Sequence, residues 1–278
     1  VGFSSDGPYR DLPAYDDIIQ AASGMASYQE AYSDQPSYTS GATADKATGL
    51  MLALSVVSSL FKRNKDNNNL ELEVPMFETM VDFTLVEHLY GHNFIPPKDE
   101  PVYPRQSSPN RKPYETKDGF IAVLPYNDEQ WLRFLKFIKK EHLIKTKKFS
   151  TLENRNKNVD ELYSLLVKEL KKEKTNFWIK KLREIDIPSM KVNKPKDLFV
   201  DEHLKKTNFF RTYKHSTEGD LMYPRLPVYF NNETDNETKF EAPNLGNRTK
   251  EVLLDLGYGK IEIENLRKER VIFLDDGD

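Results

Sequence analysis

Residues 41–50 (GATADKATGL) hold the side chain best suited to covalent chemistry in this chain, the carboxylate of Asp45. A helical pattern begins at Asp45 after a loop of small residues, and an aspartate in that place most often caps the helix. The helix dipole also favours the ionised carboxylate, and this ionised form is the one that attacks a thioester carbonyl. The small neighbours Ala44, Ala47 and Gly49 would let a bulky acyl thioester approach. The residues alone therefore leave two roles open for Asp45, a helix cap and a nucleophile.

Other familiar catalytic constellations are missing from the sequence. Because the chain has no cysteine, disulfides, thiolate metal sites and cysteine nucleophiles are excluded. There is no G-x-S-x-G elbow of serine hydrolases and no glycine-rich phosphate loop. Of the five histidines only His88 and His92 are four residues apart, and Gly91 with the following prolines predicts that the helix ends there. We therefore expect no metal site.

The bulk composition describes an ordinary globular chain. Its 278 residues are 38% hydrophobic, and 41 basic against 44 acidic residues give a net charge of -3. This balance offers no electrostatic argument for binding nucleic acid or an anionic membrane. We find no continuous apolar run near the roughly 20 residues that span a bilayer and no signal-peptide pattern. Together with the absence of cysteine, these observations predict a cytoplasmic protein.

Hydrophobic periodicity predicts the elements that would position Asp45. A short helical pattern occupies residues 15–25, an irregular loop residues 27–43, and a strong helix runs from Asp45 to about Phe61. The alternation of apolar and acidic residues over 70–74 predicts a strand. Pro75 then suits the start of a helix that continues to about residue 90.

A second set of elements follows a proline-rich stretch, residues 91–112, which we interpret as a linker. The apolar run at 120–124 predicts a buried strand, and Asn127 with Gln130 forms the pattern of a capping box. The remaining predictions are helices near 127–140, 159–173, 176–185 and 249–256, the last ended by Gly257, and strands near 188–192 and 228–230. Alternating helices and strands indicate an α/β architecture.

Short motifs distributed in order along the chain point to a known family. They are GPY at 7–9, PAYD at 13–16, QA at 20–21, SG at 23–24, AD at 44–45 with TG at 48–49, KPY at 112–114, DG at 118–119, Trp131, and NLG at 244–246. In this order they resemble the motifs of family III CoA-transferases, a family that includes formyl-CoA and carnitine CoA-transferases. Each motif is weak alone, and their collinearity makes the resemblance specific.

The resemblance implies a fold and an assembly. We expect an α/β protein made of the C-terminal portion of a Rossmann-like large domain and a smaller α/β domain. Residues 1–92 would belong to the large CoA-binding domain, 93–112 to the linker, 113–193 to the small domain and 194–278 to a return to the large domain. Family members have a longer N-terminal part, so the chain is expected to be a fragment, and the family assembles as an interlocked homodimer.

The resemblance also implies a reaction. Asp45 would be the nucleophile that carries CoA as an aspartyl thioester between an acyl-CoA donor and a carboxylic acid acceptor. CoA would be substrate and product, and no metal would be needed. The family positions beside bound CoA correspond here to Pro13, Ala14, Tyr15 and Asp16.

Two other functions stay open at this point. Some relatives are α-methylacyl-CoA racemases, which use a histidine where this chain has Tyr15. An unperturbed tyrosine, with a pKa of about 10, is a poor base at neutral pH, so this position favours transfer. The third reading is a truncated remnant that binds CoA without turnover. The sequence does not identify the donor or the acceptor acid.

Overall fold

The computed structural model describes residues 1–66, 70–229 and 242–275 of the chain. The chain divides into two compact units, residues 1–192 and residues 193–278. The helices and strands of the first unit are, in order, α1 (Asp16–Ala22), α2 (Met25–Tyr28), α3 (Thr43–Asp66), α4 (Met76–His88), β1 (Tyr114–Thr116), β2 (Gly119–Val123), α5 (Asp128–Phe137), α6 (Leu152–Lys157), α7 (Val159–Leu170), α8 (Thr175–Glu184) and β3 (Ser189–Lys191).

The helices α1, α3 and α4 pack around a small apolar cluster near the N-terminus of the chain. Phe3, Ile19, Ala44 and Met80 are buried there. The N-terminal residues lie against the start of α4, where the backbone N–H groups of residues 76 and 77 each donate to a carbonyl of residues 1 and 2 at 3.0 Å. This cluster fixes the first turn of α3, and with it the surroundings of Asp45.

The prediction of a strand over residues 70–74 is wrong. The segment lies beside the N-terminus, where the Val1 amine donates to the Val74 carbonyl at 3.4 Å and the Ser5 N–H donates to the Glu73 side chain at 2.9 Å. Leu70 and Leu72, two of the apolar residues in the alternating pattern, are exposed. A strand needs a ladder of backbone partners along its length, and the described residues provide none along this segment.

A second apolar core fills the space between a three-stranded antiparallel sheet and the helices that cover it. The central strand β2 pairs with β1 on one side and with β3 on the other, so that Ile121 lies opposite Tyr114 and Lys191. The sheet residues pack against apolar side chains of α5, α7 and α8, including Trp131, Phe134, Leu162, Leu166, Leu170, Trp178 and Leu182. The predicted strands near 120–124 and 188–192 are confirmed.

Helix capping in this unit is partly local and partly long-range. The predicted capping box of α5 is confirmed, because the Gln130 N–H donates to the Asn127 side chain at 2.9 Å. The start of α8 is capped instead by Asp118, whose carboxylate accepts the Thr175 N–H at 2.8 Å. This backbone hydrogen bond, together with bonds from the Thr175 and Thr116 hydroxyls, lowers the pKa of Asp118.

The second unit begins with a short 3-10 helix (Pro195–Val200), and its other described elements are three helices and two strands. They are α9 (Glu202–Lys206), β4 (Phe210–His215), β5 (Gly219–Pro224), α10 (Thr249–Asp255) and α11 (Lys260–Lys268).

The hairpin of the second unit pairs β4 with β5 antiparallel, from Phe210 opposite Pro224 to His215 opposite Gly219. The predicted end of α10 is confirmed, because Gly257 follows it with a φ of 93°, a backbone conformation that favours glycine. Of the strand predicted near 228–230, the described residues 228 and 229 are not in a strand, and residue 230 lies outside the described residues. The hairpin, α9 and α11 were not predicted.

The described residues agree with the predicted α/β class only at a coarse level. Helices and strands are mixed, and both sheets that the structure describes are antiparallel. The Rossmann-like portion and the domain limits at residues 92, 112 and 193 stay predictions.

Helix α3 stands out by its exposed apolar side chains. Its residues Thr43–Lys65 are long and apolar enough to cross a membrane by length and composition alone, and 11% of the most apolar window is buried. The sequence has no continuous apolar run of this length because serines interrupt the pattern. The uncharged part, residues 47–61, is about 22 Å long at 1.5 Å per residue, which is shorter than a hydrocarbon core of about 30 Å.

Candidate active site

Asp45 lies in the first turn of α3, on the surface of the first unit. The helix begins at Thr43, two residues earlier than predicted, so Asp45 is its third residue and not its cap. The neighbours Ala44 and Thr48 are buried, whereas Asp45 is exposed. Its carboxylate makes no hydrogen bond or ion pair with any residue that the structure describes. An exposed, unpaired carboxylate beside a helix N-terminus is free to react with a ligand.

The N-terminus of α3 is capped by a residue of another helix. Asp16, the first residue of α1, accepts the backbone N–H of Ala44 on both carboxylate oxygens, at 3.0 and 3.3 Å. The two residues are 28 positions apart in the sequence. The negative carboxylate satisfies an N–H group that the helix itself leaves unpaired and also lies at the positive end of the helix dipole.

A buried glutamine connects this cap to the loop before α3. The side chain of Gln20 is fully buried, and its amide donates to Asp16 at 3.2 Å. The amide oxygen of Gln20 accepts the Thr39 N–H at 2.9 Å and the Thr39 hydroxyl at 3.1 Å. The Thr39 hydroxyl in turn lies 2.9 Å from that of Thr43. The network holds the loop end and the first turn of α3 in one arrangement.

Sequence reasoning missed Gln20 and Thr39 as parts of the site. One signal for Gln20 was present, because it lies one turn after Asp16 and next to the inward-facing Ile19 of α1. A polar side chain on the apolar face of a short helix requires a hydrogen-bond partner. No comparable signal marked Thr39, which lies in the irregular loop.

The backbone near Asp45 offers one N–H group for a developing oxyanion. The Ala44 N–H is used by Asp16, and the Lys46 N–H donates to the Ala42 carbonyl at 3.2 Å. Within the described part of the chain, the N–H of Asp45 itself makes no such bond. Gly41 begins the turn into the helix with a φ of 89°, which a residue with a side chain rarely adopts.

The four residues predicted to contact CoA differ in their surroundings. Tyr15 is 76% exposed and Pro13 is exposed, whereas Ala14 packs against the apolar cluster of the first unit. The Asp16 carboxylate already accepts hydrogen bonds from Ala44 and Gln20. The structure thus gives Asp16 a structural role in addition to the predicted one, and the CoA contacts of all four residues stay predictions.

His88 and His92, the two histidines that are four residues apart in the sequence, lie in different environments. His88, at the end of α4, is buried and stacks on Tyr28 with ring centroids 3.9 Å apart. Its Nδ1 accepts the Tyr103 N–H at 3.1 Å, and burial lowers its pKa. His92 is exposed in the following 3-10 helix. Among residues 1–66, 70–229 and 242–275, no group of three potential metal ligands is found.

Comparison with known proteins agrees with the motifs. The chain is 27% identical over 282 residues to (R)-2-hydroxy-4-methylpentanoate CoA-transferase of Clostridioides difficile, an alignment covering 98% of this chain and 68% of the relative. It is 26% identical to cinnamoyl-CoA:phenyllactate CoA-transferase of Clostridium sporogenes, covering 99% of this chain and 68% of the relative.

A solved structure supports the same fold. The chain superposes on a CaiB/BaiF family protein from Brucella suis with a TM-score of 0.68 at 22% identity, covering 92% of this chain and 66% of that one. The chain thus spans about two thirds of the length of these relatives. The sequence model described as CoA-transferase family III matches residues 1–249. The resemblance stated from the motifs is confirmed, and the chain belongs to CoA-transferase family III.

Proposed function

We propose that the protein moves CoA from an acyl-CoA donor to a carboxylic acid acceptor, with Asp45 as the nucleophile. The observation that carries the proposal is the exposed, unpaired carboxylate of Asp45 on a helix turn held in place by Asp16. Family membership and the transferase names of the relatives support the class of reaction.

The first half of the reaction loads CoA onto the protein. A carboxylate oxygen of Asp45 bonds to the carbonyl carbon of the donor, the carbon–sulfur bond breaks, and CoA leaves as a thiolate. The thiolate then attacks the Asp45 carbonyl carbon of the mixed anhydride. The donor acid leaves as a carboxylate, and Asp45 holds CoA as a thioester.

The second half repeats these steps with the acceptor. The acceptor carboxylate attacks the Asp45 thioester, CoA leaves as a thiolate, and a second anhydride forms. The thiolate attacks the carbonyl carbon of the acceptor, so that the new acyl-CoA forms and Asp45 returns to a free carboxylate. The N–H of Asp45 is the backbone donor available to stabilise negative charge on a carbonyl oxygen during these steps.

The acceptor proposed is a 2-hydroxy acid with an apolar side chain. Both relatives described above are named for acids of this kind, (R)-2-hydroxy-4-methylpentanoate and phenyllactate. The two relatives, which are 26 to 27% identical to this chain, do not identify the side chain of the acid.

The proposal also includes a homodimer in the cytoplasm. The lack of cysteine agrees with a reducing compartment. The exposed apolar side chains of α3, among them Leu50, Leu54 and Phe61, agree with a surface that another chain covers. No membrane or nucleic-acid partner is included.

Intact-protein and peptide mass spectrometry test the nucleophile directly. After incubation with cinnamoyl-CoA, the peptide containing Asp45 is expected to gain the mass of CoA less one water, and phenyllactate is expected to remove it. The Asp45→Asn variant should form no adduct and should lose transfer, whereas Asp17→Asn, an exposed carboxylate of α1, should behave like the wild type.

Other outcomes would assign a different function. Exchange of the α-proton of the acyl group in deuterated water, with no adduct and no transfer, would favour a racemase-like isomerase. A folded chain that binds CoA without adduct, transfer or exchange would favour the non-catalytic reading. Full transfer by Asp45→Asn would remove Asp45 from the mechanism.

A further inference from the structure

A small cavity lies in the first unit between the segment after α4 and the helices α5, α6 and α7. Its volume is about 110 Å³. Most of the residues that line it are aromatic or aliphatic, Tyr103, Tyr126 and Trp131 among them, and polar atoms contribute about half of the exposed wall. Two arginines, Arg105 and Arg155, also line it, and none of the lining residues is acidic.

Arg105 is a partly buried cation without an opposite charge. Its Nε donates to the Tyr163 hydroxyl at 3.1 Å, and its guanidinium lies 4.8 Å from the centre of the Tyr126 ring. Within the described residues no aspartate or glutamate forms an ion pair with Arg105. Arg105 also forms a side-chain hydrogen bond with Tyr103. Two neutral hydroxyls use only part of the N–H donors of a guanidinium, so donors remain for an anion.

Arg155 contributes a second unsatisfied donor. Its side chain is 3% exposed, and its guanidinium is bound by the Phe149 carbonyl at 2.9 Å and by the carboxylate of Asp128. Its Nε–H is buried and has no hydrogen-bond partner among the described residues. A buried N–H group without an acceptor is costly in free energy.

We propose that this cavity binds a small carboxylate whose body packs on the aromatic walls and whose oxygens accept hydrogen bonds from Arg105. The inference does not rest on the transferase reaction, because none of the residues involved belongs to the network around Asp45. The site adds a small organic acid to the ligands of the protein.

The geometry favours this class of ligand over others. A planar guanidinium matches a carboxylate through two parallel hydrogen bonds, and the aromatic walls suit an apolar or ring-shaped body. For scale, an engineered apolar cavity of about 150 Å³ accommodates benzene. A cavity of about 110 Å³ is smaller than this, so it holds a short acid or the carboxylate end of a larger one such as benzoate, and CoA itself does not fit inside it.

The two tryptophans of the chain allow a direct binding experiment. Trp131 lines the cavity, whereas Trp178 is buried in the core with its indole N–H donating to the Leu170 carbonyl at 2.8 Å. In ¹⁵N-labelled full chain, titration with sodium benzoate should shift the Trp131 indole signal saturably and leave the Trp178 signal in place. Benzamide, the neutral analogue, should bind much more weakly.

Arginine variants test the assignment of the donor. Arg105→Met should weaken benzoate binding about tenfold or more, since a charge-assisted hydrogen bond is lost. Arg183→Met, an exposed arginine outside the cavity, should bind benzoate like the wild type. Arg105→Lys keeps the charge without the planar fork and should bind with intermediate affinity, which gives a second test should the methionine variant unfold.

Three results would overturn the proposal. Equal affinity for benzoate and benzamide would show that charge plays no part. Unchanged binding by Arg105→Met would show that Arg105 is not the donor, and unchanged binding by Arg105→Lys would contradict the paired hydrogen bonds from its planar fork. Saturable binding of inorganic phosphate in preference to benzoate would replace the carboxylate by a different ligand class.

Discussion

The carboxylate of Asp16 accepts a hydrogen bond from the backbone N–H of Ala44 at 3.0 Å, and Ala44 immediately precedes Asp45. The bond fixes the first turn of α1 to the first turn of α3. A motif residue that the family resemblance placed beside CoA therefore also holds the backbone of the proposed nucleophile. Ala42, the residue before α3, has no side-chain oxygen that could cap the helix. The position of Asp45 therefore depends on the bond between Asp16 and Ala44.

Removing this cap should reduce both stability and turnover. In Asp16→Ala the Ala44 N–H loses its acceptor, and we expect the free energy of unfolding to fall by about 1 kcal/mol. Because the turn that carries Asp45 loosens, kcat should fall more than KM rises. Urea denaturation and steady-state kinetics measure the two effects.

Asp17→Ala is the matched control for this prediction. Asp17 is the next residue of α1, carries the same charge in the same turn and is exposed. Its removal should leave kcat close to the wild-type value. Equal losses in the Asp16 and Asp17 variants would show that general charge at the start of α1, rather than the bond to Ala44, is responsible.

A carboxylate at position 20 should create a repulsive pair. In Gln20→Glu, the new side chain would replace an amide that donates to Asp16 at 3.2 Å, inside a fully buried site. Two adjacent carboxylates cannot both remain ionised without a large cost, so the pKa of one of them rises. The variant should therefore be destabilised most at pH 8, and the difference from the wild type should narrow as the pH falls towards 5.

The double variant tests the cause of that destabilisation. Asp16→Asn combined with Gln20→Glu removes the repulsion, so the combined loss of stability should be smaller than the sum of the two single losses. Additive losses in thermal or urea denaturation at pH 8 would indicate that the two side chains do not interact.

The sequence predicted elements best where the deciding interactions are local. The capping box of α5 involves Asn127 and Gln130, three residues apart, and it was predicted correctly. The caps of α3 and α8 come from Asp16 and Asp118, which are 28 and 57 residues away from the N–H groups they accept. Such pairs depend on tertiary packing, and no local pattern marks them.

One predicted strand is absent and one observed hairpin was not predicted, and the two errors have a related cause. Residues 70–74 alternate as a strand should, yet they lack a bonded partner along their length in the described structure. The hairpin of β4 and β5 was missed because its faces are largely solvated, so its residues do not form an apolar run. Strand formation depends on a partner, which the pattern of one segment does not reveal.

The buried His88 should make stability depend on pH. Burial lowers its pKa in the folded protein, opposed by Glu87 and reinforced by Arg111. Between this lowered value and the unfolded pKa of about 6.5, the unfolded chain binds more protons than the folded one. Stability should therefore fall as the pH drops below about 6.5, with a slope no steeper than about 1.4 kcal/mol per pH unit for one proton.

Histidine variants separate this effect from general acid denaturation. His88→Gln keeps an acceptor for the Tyr103 N–H but does not titrate, so its stability should change less between pH 7.5 and 5.5 than that of the wild type. His92→Gln changes an exposed histidine and should keep the wild-type dependence. Identical pH profiles for His88→Gln and the wild type, measured by urea denaturation, would argue against a lowered pKa.

The exposed apolar side chains of α3 should make the 278-residue chain self-associate. Leu54 and Val57 are each 64% exposed and lie close together on the helix surface. Leu54→Glu combined with Val57→Glu should shift sedimentation towards the monomer with little loss of thermal stability, because both side chains already face solvent. Lys62→Glu changes the net charge by the same two units on the same helix and should leave association unchanged. Flotation with phosphatidylcholine vesicles should recover no wild-type protein, because a second chain would cover the apolar side chains of α3. Recovery with vesicles, or association unaffected by the double substitution, would contradict a protein–protein surface on α3.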